Sequence, residues 1–256
     1  MEGMQPDITR KLLTINREFY QSFGSAFAQT RRRIQPGVRR VLDVWIRDGD
    51  WLDIGCGSGA LAQAWREAGV HGTYTGIDFS ASLLAEATAI LAEKQPVEGI
   101  SIQYKQADLL ADDWISSVNN KSYDGVLSFA VLHHIPGAEN RLRLVRQVAG
   151  LLKKDSLFIL SVWQFQHSPR LLARVQPWEI AGIGPDEVEE GDTVLDWRHP
   201  ISKEPHELGL RYVHLFSREE LAALADQAGF EIINEFESDG KGERLGLYQV
   251  WRTRAS

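Results

Sequence analysis

The sequence predicts an α/β fold in which seven strands form one mostly parallel sheet, helices cover both faces and the last strand runs antiparallel. A helical extension precedes this core, and an insertion follows its fifth strand. Three observations carry the prediction. From Asp50 to Val162, short apolar runs alternate with segments of helical periodicity, the pattern of a parallel sheet buried on both faces. Trp51-Leu52-Asp53-Ile54-Gly55-Cys56-Gly57-Ser58-Gly59 passes from a strand through three alternating glycines into a helix. The last two apolar runs, at 230–236 and 245–251, have only a loop between them, too short for a crossover, and so pair antiparallel.

In chain order, Ile8, Leu12, Ile15, Phe19, Phe23 and Phe27 recur every three or four positions. They read as an amphipathic helix, or a pair of short ones broken at Gly24. Gln35-Pro36-Gly37 punctuates the chain, and residues 38–46 form a second helix with Pro36 near its start. Strands follow at 50–54, 72–77, 100–105, 123–129 and 156–162. Between them lie helices at 60–68, from Ser80 as N-cap to about Lys94, briefly at 112–118, and at 139–152. Residues 164–211 break the rhythm: they are rich in Pro, Gly, Trp and acidic residues, with weak periodicity. A connection of that length without clear elements is usually functional or mobile, and it reads as part of a substrate pocket. Ser217 followed by Glu220 is a capping box opening a further helix, which Gly229 stops.

At 256 residues the chain can bury a substantial core without staples. Cys56 is its only cysteine, which excludes an intrachain disulfide and a multi-cysteine metal site. A reducing, cytoplasmic setting is expected. Met1 to Arg10 has no apolar run and reads as no secretory signal. No apolar stretch approaches the roughly 20 residues that span a bilayer, so no membrane partner is expected. The net charge of −7 argues against a protein that coats nucleic acid. Yet Arg31, Arg32, Arg33, Arg39 and Arg40 fall close together, and Arg141, Arg143, Arg146, Lys153 and Lys154 form a second group. Runs of this kind read first as solvated helix faces.

The glycine loop carries the chemistry. Alternating glycines allow a tight turn and close approach of a ligand to backbone, and the following helix offers exposed N–H groups. Gly55 to Ala60 also satisfies a dinucleotide fingerprint, with Asp78 nineteen residues beyond Gly59 near the expected ribose position. The loop alone therefore admits NAD and a dehydrogenase as well as other adenosine cofactors. Asp53, two residues before the first glycine, is placed to hold a cationic amino group and would repel a pyrophosphate. Asp108 in Ala107-Asp108-Leu109 can accept from an adenine amine, with Leu109 packing on the ring. Phe129-Ala130-Val131-Leu132-His133-His134-Ile135 forms an aromatic rim at the end of the fourth strand.

Together these segments resemble the class I S-adenosylmethionine-dependent methyltransferases, with their Rossmann-like sheet. The resemblance implies S-adenosyl-L-methionine as cofactor and no metal. Gly55, Gly57 and Gly59 would line its methionine end, Asp78 would take both ribose hydroxyls, Phe79 would pack on the adenine, and Asp108 would hold its amine. Phe129 would line the same site. The chain then divides, as one methyltransferase domain, into a helical cap (1–47), a cofactor-binding core (48–163), a substrate-side insertion (164–211) and a C-terminal helix and strand pair (212–256).

The flanks are similar to a narrower group, the wobble-uridine tRNA methyltransferases, which esterify 5-carboxymethyluridine. The segment from Phe19 to Arg31, Val131-Leu132-His133-His134 followed by Glu139-Asn140-Arg141, Ser161-Val162-Trp163, and Arg211-Tyr212-Val213-His214-Leu215-Phe216 match that pattern in order. The likeness implies that Tyr20 and Arg31 close over the cofactor, with Arg31 forked onto its carboxylate, and that a small zinc-ribbon protein serves as partner, as in eukaryotic members. A carboxylate acceptor is already a nucleophile at neutral pH, so alignment rather than a base would supply the rate. His133, His134, Tyr212 and His214 would orient such a substrate. For a phenol, hydroxyl or ring-carbon acceptor, His133 is the nominated base. The acidic stretch around Asp186 to Glu190 departs from the group, because a tRNA-facing loop should be basic. A small-molecule acceptor beneath Trp163, Trp178 and Trp197 is the alternative. The spacing of His199, His206 and His214 fits no common metal pattern.

Overall fold

A computed structural model describes residues 4–29, 33–118, 122–198 and 208–254 of the chain. Two helices come first, α1 (Pro6–Gln29) and α2 (Pro36–Val44). The core begins with β1 (Gly49–Ile54), α3 (Ala60–Glu67), β2 (Gly72–Asp78), α4 (Ala81–Ala92) and β3 (Ile100–Gln106). It continues through α5 (Trp114–Ser117), β4 (Tyr123–Phe129), α6 (Ala138–Leu151) and β5 (Leu152–Trp163). Then come α7 (Pro169–Leu172), β6 (Val175–Gln176), β7 (Asp192–Arg198) and β8 (Leu208–His214). The described chain closes with α8 (Arg218–Gln227), β9 (Phe230–Ser238) and β10 (Gly246–Thr253).

The main sheet has seven strands in the order β3-β2-β1-β4-β5-β10-β9. Its β1–β2, β2–β3, β1–β4 and β4–β5 pairs are parallel, and β10 is antiparallel to both β5 and β9, as the sequence predicts. Two apolar clusters sandwich it. One gathers Leu144, Val148, Leu221 and Trp251 beneath α6 and α8; the other gathers Val41, Trp65, Tyr74 and Tyr248 beneath α2 and α3. The strand order turns back between β1 and β4, so a crevice opens beyond their carboxyl ends, where α/β sheets bind ligands.

Two expectations are decided. First, of the two alternatives for the N-terminal segment the single helix holds, and α1 runs through Gly24. Ile8, Leu12 and Phe19 on its inner stripe are almost fully buried. Burial of such side chains contributes roughly 1.5–3 kcal/mol each, more than the roughly 1 kcal/mol that a glycine costs inside a helix. Second, the insertion is not featureless: β6, β7 and β8 form a separate antiparallel sheet. Its strands hide in the sequence because Asp196, Arg211 and His214 are buried, each 5 % exposed or less, and charged letters at inward positions erase the alternation. Arg211 achieves this by lying over the rings of Trp163 and Phe19, 4.3 and 5.1 Å from their centroids. Among the described residues, no helix is long and apolar enough to cross a membrane.

Candidate active site

The crevice holds a cavity of about 360 Å³, roofed by α1 and running from Asp108 past Asp53 to the β9–β10 turn. The glycine loop forms its floor. Gly55, Gly57 and Gly59 have φ of 75°, 54° and 78°, which other residues adopt only under strain. Their surroundings differ. A Cβ on Gly55 would stand 2.3 Å from Val131, and one on Gly59 would stand 2.5 Å from the Tyr104 hydroxyl, whereas one on Gly57 would meet nothing within 4 Å. Gly57 is thus where open space meets bare backbone. Gly59 does not line the cavity; it permits close packing of α3 against β3, which corrects its expected place among the ligand-facing glycines.

Two buried carboxylates flank the loop. Asp53 accepts a short hydrogen bond from the Tyr74 hydroxyl. Burial, only partly offset by that bond and reinforced by neighbouring Asp78, pushes its carboxyl up to about 7. Asp78 ends β2 with Oδ2 taking the Gly57 N–H at 3.0 Å and Oδ1 taking the Ser80 N–H at 2.9 Å. Burial raises this carboxyl too, against the N–H groups of Ser80, Gly57 and Phe79. Further along, Asp108 accepts from the Leu110 N–H at 3.0 Å and pairs with Arg17 of α1 at 2.8 Å. Phe79, Leu83, Leu109 and Leu110 give this end its apolar walls.

At the other end the lining includes Phe129, Ala130, Ser161, Trp163, Tyr248 and Arg33. Ala130 is held at φ 59°, its N–H bonded to Ser161. His134 reaches the cavity from the turn after β4, with Tyr20 beside it. Its Nδ1 is 3.0 Å from the Tyr212 carbonyl and its Nε2 is 3.1 Å from the Tyr20 hydroxyl. Tyr20 also meets Phe79 edge-on. Asp239, at φ 71°, takes the Gly37 N–H and the Tyr248 hydroxyl, tying the β9–β10 turn to the start of α2. Cys56 is buried, and its thiol is pushed far above the usual range by desolvation and the two nearby aspartates, which makes it inert.

The structure therefore brings Tyr20, Asp53, Gly55, Gly57, Asp78, Phe79, Asp108, Leu109 and Phe129 to one cavity. Arg31, His199 and His206 lie outside the described residues. Of the three histidines expected to orient a substrate, His134 lines the cavity and His133 and His214 do not. His133, also the nominated base, is fully buried behind the wall, stacked on Trp163 with Nδ1 accepting the Trp163 N–H at 3.3 Å. Of the three tryptophans expected to cover a small acceptor, only Trp163, at the end of β5, is a lining residue; Trp197 packs on Phe19 and Phe23 instead. Arg33, Tyr248 and Asn16 line the cavity without having been singled out as ligand-facing residues by the sequence. Asn16 had a legible signal, a polar residue on the apolar stripe of α1.

His214 is corrected in the same way. It is buried in a polar cluster under the insertion, with Nδ1 2.7 Å from Asp192 and Nε2 2.9 Å from Glu220. Tyr212 donates to Asp192 at 2.7 Å, and Arg141 reaches Glu189 at 2.6 Å and Glu220 at 3.2 Å. Arg141 is thus buried, unlike the solvated face expected of its basic group. Glu189, Asp192 and His214 approach metal-ligand spacing, but their atoms are already engaged by Arg141 and Tyr212, which suits a proton better than a cation. Desolvation by itself would lower the His214 imidazole; its bonds to Asp192 and Glu220 outweigh that and hold it above its ordinary 6.5. A raised histidine stabilises the fold fully below 6.5 and loses that contribution as pH rises through its folded value. Urea titrations are expected to show stability falling over that interval. In His214→Gln the slope above 6.5 becomes shallower, with a loss on the order of 3 kcal/mol at low pH from breaking the buried pair. An unchanged slope would remove the cluster from the account.

A sheet of this order, with a glycine loop and paired carboxylates at its carboxyl ends, defines a class I S-adenosylmethionine-dependent methyltransferase. The donor set fits that cofactor: carboxylates for an ammonium and for vicinal hydroxyls, bare backbone at Gly57 and apolar walls for a purine. The chain belongs to the methyltransferase family, whose model, described as a methyltransferase domain, matches residues 26–235. A protein of Encephalitozoon cuniculi named as a methyltransferase is 28% identical over 84% of this chain and 87% of its own length. A probable tRNA methyltransferase 9B of Bos taurus is 22% identical over 64% of this chain, and a ubiquinone biosynthesis O-methyltransferase of Actinobacillus pleuropneumoniae is 30% identical over 43%. The matches span only 33% and 44% of those two relatives. Among solved structures, the methyltransferase in complex with the Trm112 methyltransferase activator of Haloferax volcanii superposes with a TM-score of 0.61 at 15% identity, covering 94% of this chain and 98% of that one.

Proposed function

We propose that the enzyme methylates a carboxylate, and that the carboxylate belongs to 5-carboxymethyluridine at the wobble position of tRNA. One observation carries the reading: at the acceptor end the ionisable groups are already engaged, and among the described residues no spare general base faces the cavity. His134 is held at both ring nitrogens, Tyr20 is bonded to it, and Asp239 holds Gly37 and Tyr248. Arg33 is exposed there, with no ion-pair partner among the described residues. An acceptor that arrives ionised needs no base and suits a cation at the mouth.

In this reading Asp53 holds the cofactor's ammonium, Asp78 the ribose hydroxyls, Asp108 the adenine amine, and Phe79 and Leu109 the ring faces. S-adenosylmethionine supplies a methyl group made electrophilic by a sulfonium. The acceptor oxygen forms the new O–CH3 bond as the S–CH3 bond breaks, and no proton moves. His134 and Tyr20 orient the acceptor, while Trp163 and Phe129 exclude water from the line of approach. The acidic stretch of the insertion does not oppose RNA in full. Glu189 is spent on Arg141 and the Ala138 N–H, and Glu187 on the Gly184 N–H. The relatedness to tRNA methyltransferase 9B supports the RNA acceptor, and the complex of the Haloferax neighbour supports a small protein partner.

The test is transfer of radiolabelled methyl to tRNA carrying carboxymethyluridine. Label released as methanol by mild alkali, as esters release it, is the expected result. Alkali-stable label overturns the carboxylate, and no incorporation by protein that binds S-adenosylhomocysteine overturns the tRNA.

A further inference from the structure

We infer that Asn16 is the positioning residue that orients His134, by tying cap helix, strand-four turn and insertion sheet together at the cavity wall. The inference rests on the reading that His134 faces the acceptor. Asn16 is 6 % exposed and lies on the buried stripe of α1. Its Nδ2 donates to the His134 carbonyl at 3.2 Å, and its Oδ1 accepts from the Tyr212 N–H at 2.8 Å. These are the two backbone segments whose approach brings His134 Nδ1 to the Tyr212 carbonyl at 3.0 Å.

The consequence is chemical. A carbonyl oxygen only accepts, so Nδ1 carries the proton of the neutral ring and Nε2 presents a lone pair. Tyr20, one helical turn beyond Asn16, donates to that lone pair at 3.1 Å. One face of α1 thus sets the tautomer of His134 from one side and satisfies it from the other. None of these three groups comes from the main sheet. Remove the Asn16 amide, and a half-buried carbonyl and a buried N–H each lose a partner. The turn and β8 must then shift to find others, and His134 no longer meets a carbonyl. Its other tautomer would aim a donor at Tyr20, whose hydroxyl would have to rotate away.

The tautomer is read directly from the ring nitrogen signals of His134 in 15N-labelled protein with S-adenosylhomocysteine bound, assigned by His134→Gln. Wild type is expected to show Nδ1–H alone and Asn16→Leu a mixture. Asn16→Asp keeps the acceptor for Tyr212 but loses the donor to His134, and is expected to show a mixture as well. With the tRNA substrate, kcat in both variants is expected to fall about tenfold, with KM for S-adenosylmethionine changed less than about twofold, the signature of lost orientation rather than lost cofactor binding. An unchanged Nδ1–H tautomer in folded variants overturns the inference. Should Asn16→Leu not fold, Asn16→Asp alone decides. If wild type leaves the tRNA unmethylated, the functional reading fails while the tautomer comparison still stands.

Discussion

S-adenosylhomocysteine binding to Asp78→Ala is expected to be weaker than to wild type by roughly 2–4 kcal/mol, the worth of two charge-assisted hydrogen bonds in a buried site. The carboxylate has two jobs. In the proposed reading its outer lone pairs receive the ribose hydroxyls. Its bonds to the Gly57 and Ser80 N–H groups, at 3.0 and 2.9 Å, hold the glycine loop and the start of α4 in place. Alanine removes both, so the ligand loses contacts and the loop loses its anchor. Asp78→Asn separates the two effects, because its amide oxygen can keep one N–H bond while its NH2 group faces the other donor. Calorimetry that finds wild-type affinity in Asp78→Ala would sink the ribose assignment.

The second large effect is a pH dependence centred on Asp53. Burial holds this carboxyl up at about 7, so below that value it is mostly protonated. Holding an ammonium requires the ionised form. Cofactor affinity is therefore expected to fall about tenfold for each pH unit below about 7 and to level off above it. Folding stability of the empty protein has the opposite sign. An acid raised by burial favours the fold while protonated, and that contribution is lost as pH rises through about 7. Asp53→Asn retains an acceptor for Tyr74 but no charge. It should bind about 10- to 100-fold more weakly at pH 8, from one lost charged contact of roughly 1.5–3 kcal/mol, and show no pH step. A step that persists in Asp53→Asn would assign the titration to another group.

The central strands β1, β4 and β5 were legible because most of each is an apolar run buried on both faces. Tyr123–Phe129 is found where the sequence places it, and Ser80 and Ser217 cap α4 and α8 through the N–H groups of Leu83 and Glu220. The cofactor side followed from the same local logic, since a strand, a glycine loop and an acid at the next strand end are all sequence-near. The insertion sheet was not legible. Its strands carry Asp196, Arg211 and His214 inward, which only partners distant in sequence make tolerable. Arg141, read as one charge in a basic run, is buried for the same reason.

By itself, then, the sequence determined the sheet, its reversed last strand, the glycine loop and the carboxylates that line the cavity. These depend on hydrophobic period and on residues a few positions apart. Only the tertiary structure decided which of two adjacent histidines faces the cavity, because that depends on the single turn of 3-10 helix at Leu132–His134 and on what packs against it. It also decided that Asp108 is shared with Arg17, and that His134 is held by α1 and β8 from 114 and 78 residues away. Local periodicity carries no information about contacts at such separations; they are set by how the cap and the insertion fold back over the sheet.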